Sequence, residues 1–200
     1  MTDSQHSIQQ VVNLLQFFRS ELGNAFDKLG LTTTEETQTY LIHLLEDYVR
    51  LDEKKRQDLG FEKPAAFLLA DALHTGGDRR IEAYRRLGDA SLFSCGFFEE
   101  HLDRANSLVP IDYYRDMGRN AYSNLQTLMK FKAPGGAFHV IFDELTRKFD
   151  TVVEAFRFLA NQQQEPSCAR LLERWQRGDS IDAKEWARFG GFPSTNGGDA

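Results

Sequence analysis

Apolar residues recur at three- and four-residue steps along nearly the whole chain, and no segment shows the strict alternation of a half-buried strand. Ile8, Val11, Val12, Leu14, Leu15, Phe18, Leu22 and Phe26 define one face of a first helix. Gly30 fits the position just past its end, where a positive φ is needed. Thr33-Thr34-Glu35-Glu36 then reads as a capping box, with Thr33 accepting from the backbone and Glu36 reaching back. A second helix turns Thr37, Tyr40, Leu41, Leu44, Leu45, Tyr48 and Leu51 to the core and ends in the charged stretch from Asp52 to Asp58.

Pro64 suits a first helical turn, and Ala65 to His74 is apolar almost all round, which predicts the most buried helix of the fold. Its one polar strip holds Lys63, Asp71 and His74. Gly76-Gly77 ends it, and a short charged helix follows from Asp78 to Leu87, directed inward through Ile81, Tyr84 and Leu87. Gly88 closes that helix, with Asp89 or Ser91 capping the next, which runs from about Ala90 to Asn106 and carries Phe93, Cys95, Phe97 and Phe98. Pro110 opens a helix with Asp112 in its first turn and Tyr113, Tyr114, Met117, Gly118, Ala121, Leu125 and Leu128 facing inward. Pro134-Gly135-Gly136 is a break. One long amphipathic helix is expected from Ala137 to Asn161, its stripe running from Phe138, Ile141 and Phe142 to Phe156, Leu159 and Ala160.

Short accessory C-terminal helices around Trp175 and Trp186 complete an all-α, single-domain multi-helix bundle over residues 1–190, with residues 191–200 as a flexible tail. Gly96 and Gly118 stand inside helices beside large aromatics. An interior glycine is unfavourable by roughly 1 kcal/mol relative to alanine, so both mark places where neighbouring elements approach closely.

Composition narrows the function classes. Two hundred residues are enough for one large domain, and 16 phenylalanines supply bulky core side chains. A net charge of −6 argues against an electrostatic grip on nucleic acid or on an anionic membrane. Only Cys95 and Cys168 are present, without a CxxC pair, so neither a disulfide framework nor a cysteine zinc site is expected. The N-terminus is polar and acidic, unlike a signal peptide, and no apolar run approaches the roughly 20 residues that span a bilayer. A cytoplasmic protein without a cofactor is the expectation.

The strings Leu87-Gly-Asp-x-x-Leu-Phe-x-x-Gly-Phe-Phe98, Asp112-Tyr-Tyr-x-x-Met-Gly-x-x-Ala-Tyr122 and Tyr40-Leu-x-x-Leu-Leu45 resemble a group of uncharacterised bacterial helical proteins. The likeness covers the chain from the second helix to Trp175 and implies a single bacterial domain. It carries no activity.

Chemistry-bearing residues are few. Helical bundles hold di-metal centres through Glu-x-x-His motifs, and none of the five histidines has a glutamate three residues before it. Asp71 and His74 could ligate one metal, though such a strip is also the solvent side of a helix. His43 and His6 fall on polar faces, and His139 with Asp143 reads as a surface pair. His101 falls among apolar positions, where a hydrogen-bonded core residue is commoner than a ligand. Cys95 stands among phenylalanines and reads as an inert buried thiol. Arg79, Arg80, Arg85 and Arg86 form a basic cluster without interleaved aromatics, the mark of a solvated face. Arg115, Arg119 and Tyr122 share one flank of their helix. Two guanidiniums a turn apart invite an anion between them, either a carboxylate or phosphate ligand or the neighbouring Asp112 and Asp116.

The pattern as a whole reads as a helical interaction or regulatory protein. Self-association as a homodimer is expected from Phe17, Val140 and Phe158, which fall outside their helices' apolar stripes. The alternative is a small-ligand-binding protein or enzyme with a pocket between the central helices (residues 64–130), for which His101, Tyr114 and Asp71 are polar candidates.

Overall fold

The computed structural model describes residues 2–49, 65–98 and 110–161. Seven helices make up this part: α1 (Thr2–Leu29), α2 (Glu35–Val49), α3 (Ala65–His74), α4 (Gly77–Phe97), α5 (Ile111–Lys132), α6 (Ala137–Arg147) and α7 (Phe149–Ala160). No strand occurs among the described residues, and the all-α bundle expected from periodicity is the fold. His101, Lys63, the charged stretch after Leu51, Cys168, the accessory C-terminal helices and the tail lie outside the described residues.

The bundle is built around α4, which packs along α5 and against α3 and α7, and touches α2. α1 pairs with α2 and lies on α7, while α6 bridges α5 and α2. Burial of Phe18, Leu22, Leu41, Leu45, Leu87, Phe93, Leu125, Phe142, Phe149 and Phe156 in one core draws the helices together. Aromatic rings run through its centre: Tyr48 stacks on Phe93, and Phe93 on Phe97, both with centroids 4.5 Å apart.

Glycines set the closest approaches. A Cβ on Gly96 would stand 2.4 Å from Cβ of Phe156, and one on Gly118 would stand 2.5 Å from Cζ of Phe149. Gly88, expected to end a helix, is instead a buried interior residue whose missing Cβ leaves room for the ring of Tyr122. α4 is therefore one continuous helix, and Asp89 and Ser91 are buried within it rather than capping a second one. The apolar surroundings of this turn outweigh the roughly 1 kcal/mol helix penalty of the glycine.

Two further expectations are corrected. α3 is not the most buried helix: Ala65, Leu68 and Ala72 face the core, but Phe67 is 63% exposed and Leu73 58%. With only one side packed, largely against α4, its remaining apolar residues stay at the surface. The segment from Ala137 to Asn161 is two helices, because Lys148 leaves helical geometry at φ −110°, ψ 15°. The Lys148 ammonium bonds the Thr32 carbonyl at 2.6 Å and Glu144 at 2.9 Å, and the bend carries Phe149 into the space beside Gly118. Phe17 and Phe158 pack against the core, with the Lys28 ammonium 4.3 Å from the Phe158 ring centroid. Phe17, Val140 and Phe158 are each half-buried.

The α2 cap also differs from the expected box. Thr34, not Thr33, is the cap: its hydroxyl oxygen accepts from the Thr37 backbone N–H at 3.3 Å. The reciprocal carboxylate comes from α6 instead of Glu36. Glu144 accepts the Thr34 backbone N–H and the Thr34 hydroxyl, each at 2.9 Å. Burial alone would raise the Glu144 pKa, but bonds from Thr37, Lys148 and Thr34 hold it at about 2. Thr34→Ala removes the hydroxyl's contacts with Thr37 and Glu144 and is expected to lower stability by about 1–2 kcal/mol in urea unfolding. A loss of only a few tenths would mean that the cap contributes nothing.

Candidate functional site

A cleft of about 570 Å³ opens between α2, α4 and the start of α6, within the range of small-molecule sites. α2 supplies one long wall. Tyr40, Leu44 and Tyr48 recur every four residues and turn to the same side, with Glu36, His43 and Asp47 along the margin. Phe138 and Ile141 of α6 form the opposite wall, and Phe138 stacks on Phe142 while remaining 55% exposed. Arg85 and Asp89, one turn apart on α4, complete the lining.

Asp89 is the chemically unusual residue. It is 4% exposed, and a carboxylate at that depth is rare without partners. Its Oδ1 accepts the Tyr40 hydroxyl at 2.7 Å and the Tyr122 hydroxyl at 2.8 Å. Its Oδ2 lies 3.7 Å from Nη1 of Arg85, an ion pair too long for a hydrogen bond. Burial pushes the Asp89 pKa up to about 6, against the opposing pull of Arg85 and the two hydroxyls. Burial and then the Asp89 charge raise Tyr40, Tyr48 and Tyr122 well above the usual phenol range, so all three stay neutral, and Tyr40 and Tyr122 donate to Asp89.

Arg85 is held from its other side. Its Nε and Nη2 donate to Glu82 at 3.1 and 2.9 Å in a two-pronged pair. Burial alone would lower its pKa, but the Glu82 bonds and the Asp89 charge hold it above its usual range. The same bonds, foremost that from Arg85, lower the Glu82 pKa. Arg86 also donates to Glu82, at 3.1 Å. The basic cluster read from sequence is thus partly consumed by Glu82 and partly by Asp89.

No protein-family model, curated protein or solved structure matches this chain. The site must therefore be read from its own geometry.

The candidates proposed from sequence do not come together. Tyr122 leaves the flank of Arg115 and Arg119: it is fully buried, stacked against Phe142 and bonded to Asp89. The anion between the two guanidiniums is supplied by α7. Asp150 lies 3.6 Å from Arg115 and 2.6 Å from Arg119, Asp116 also meets Arg119 at 3.3 Å, and Glu154 reaches Arg115 at 3.8 Å. Tyr114 is half-buried on the same helix, with its ring edge-on to Tyr113, and takes no part in the cleft. Asp71 and His74 are both exposed, and His74 Nδ1 lies 2.7 Å from the Ala70 carbonyl oxygen. Among the described residues no group of three or more His, Cys, Asp or Glu could hold a metal ion. Cys95 is a buried free thiol, 0% exposed.

Sequence reasoning missed Asp89 and its tyrosines. Gly88-Asp89 looks like a helix end followed by a cap, and that reading hides the carboxylate from a count of core positions. One signal was present: with α4 read as continuous, Asp89 stands a turn before Leu92 and Phe93 and two turns before Gly96, an acid leading into an apolar face. Tyr40 and Tyr122 lie 49 and 33 residues away in sequence, and no local spacing links them to it.

Proposed function

We propose that this chain is a small-molecule-binding protein whose site is the cleft between α2, α4 and α6. The observation that carries this reading is the combination of an apolar, aromatic-walled cleft with a buried carboxylate fixed in position at its lining. Such an arrangement orients a ligand: apolar walls supply contact area, and one preorganised polar group selects the pose. It departs from the pocket expected between residues 64 and 130, because two of its three walls come from α2 and α6. No described helix is long and apolar enough to cross a membrane.

The reading does not extend to catalysis. Cys95 is sealed in the core, and no described nucleophile stands beside Asp89 in the cleft lining. The test uses thermal unfolding of the protein with a metabolite library, alongside Thr39→Trp, which fills the cleft from the half-exposed outer side of α2. At least one compound should raise the melting temperature of the wild type and leave that of Thr39→Trp unchanged. Absence of any stabilising compound, or equal shifts in both proteins, overturns the reading.

A further inference from the structure

We infer that the cleft takes a small organic ammonium ion with an apolar body, a deepening that rests on the ligand-binding reading above. The lining carries four carboxylates, Glu35, Glu36, Asp47 and Asp89, against one guanidinium, Arg85. That guanidinium is already engaged by Glu82 through two hydrogen bonds, and His43, the other basic group at the cleft, lies 3.3 Å from Glu46. Among the described residues, no cation pairs with Glu35, Glu36 or Asp47. Among the described residues, an anionic ligand would therefore meet the like charge of Glu35, Glu36 and Asp47 and no basic group without a carboxylate partner, whereas a cation would meet the opposite.

Two further features fit the same class. Oδ1 of Asp89 is taken by two tyrosine hydroxyls, but Oδ2 accepts no hydrogen bond among the described residues and belongs to the cleft lining. A buried carboxylate oxygen in that position accepts a charge-assisted bond from an N–H donor. Tyr40, Tyr48 and Phe138 add aromatic rings to the walls, and aromatic faces attract ammonium groups. Leu44 and Ile141 offer the apolar surface that the body of such a ligand would cover.

The experiment compares phenylpropylamine, phenylpropanol and phenylpropanoate, which share one apolar body and differ in charge. Binding is read by calorimetry at low ionic strength and neutral pH in the wild type, in Asp89→Asn and in the combined Glu35→Gln/Glu36→Gln/Asp47→Asn variant. The amine should bind the wild type about tenfold tighter than the alcohol and the acid. The three dissociation constants should converge in the combined variant, and Asp89→Asn should weaken the amine by a comparable factor. If the alcohol or the acid binds as tightly as the amine, the charge assignment falls while the cleft remains a ligand site. If none of the three binds, the assignment falls too, and the library screen with Thr39→Trp decides separately whether the cleft reading falls with it.

Discussion

Gly96→Ala is expected to destabilise the protein by about 2 kcal/mol or more, although alanine is the better helix former. The new Cβ would lie 2.4 Å from Cβ of Phe156, nearer than real Cβ atoms approach one another. Both atoms are bonded directly to backbone, so no rotamer change relieves the overlap, and α4 and α7 must move apart. Overpacking of this kind costs about 1–3 kcal/mol and sometimes more, against roughly 1 kcal/mol returned by helix propensity. The contrast is Gly23 in α1, where a Cβ would meet nothing within 4 Å. Gly23→Ala should therefore stabilise, by up to about 1 kcal/mol. Urea unfolding of the two variants checks both signs, and a gain in stability for Gly96→Ala would show that the two helices are not in close contact.

The second large effect is on pH dependence and falls on Asp89. Its carboxyl titrates near pH 6 when folded and near its ordinary value of 3.8 when unfolded. Below both values each state holds the proton, and stability does not change with pH. As pH rises between them, the unfolded chain releases its proton while the folded one retains it, so stability falls through this window. The gap corresponds to roughly 3 kcal/mol, present in full below about pH 4 and lost above about pH 6. Glu144 acts in the opposite sense at lower pH: held at about 2 against an ordinary 4.5, it gives stability above that range that is lost as pH falls through about 2. Wild-type stability should therefore decline from about pH 4 to about pH 7, and Asp89→Asn should flatten that decline. Parallel profiles for the two proteins would show that Asp89 does not carry the buried charge.

Helices were legible in the sequence wherever periodicity and punctuation agreed. Gly30 and Gly135 adopt positive φ at 61° and 72°, and the inner face of α5 was visible in Met117, Gly118, Ala121 and Leu125. The reading failed where a local rule met a tertiary contact. Gly88 signals a stop by its own propensity, yet it serves as the seat of the Tyr122 ring from another helix. Tyr122 itself appeared on the flank of its helix, because its target, Asp89, had been assigned to a cap. Ala65 to His74 reads as the most buried helix because hydrophobicity reports what a helix could cover, not how many neighbours are present to cover it. The cleft was invisible for a related reason. Its walls come from three helices, and the depth of Asp89 depends on how they close around it.

The bonds among Thr32, Thr34, Glu144 and Lys148 have a consequence for protein engineering. The connector between α1 and α2 resembles a loop in sequence, yet its backbone is anchored to a helix junction 110 residues away. Inserted sequence there would unseat a buried carboxylate as well as lengthen a turn. The Pro134-Gly135 turn is exposed, and its backbone bonds are local, from Gly136 to Ala133. That turn is the place for a grafted epitope or a fused domain.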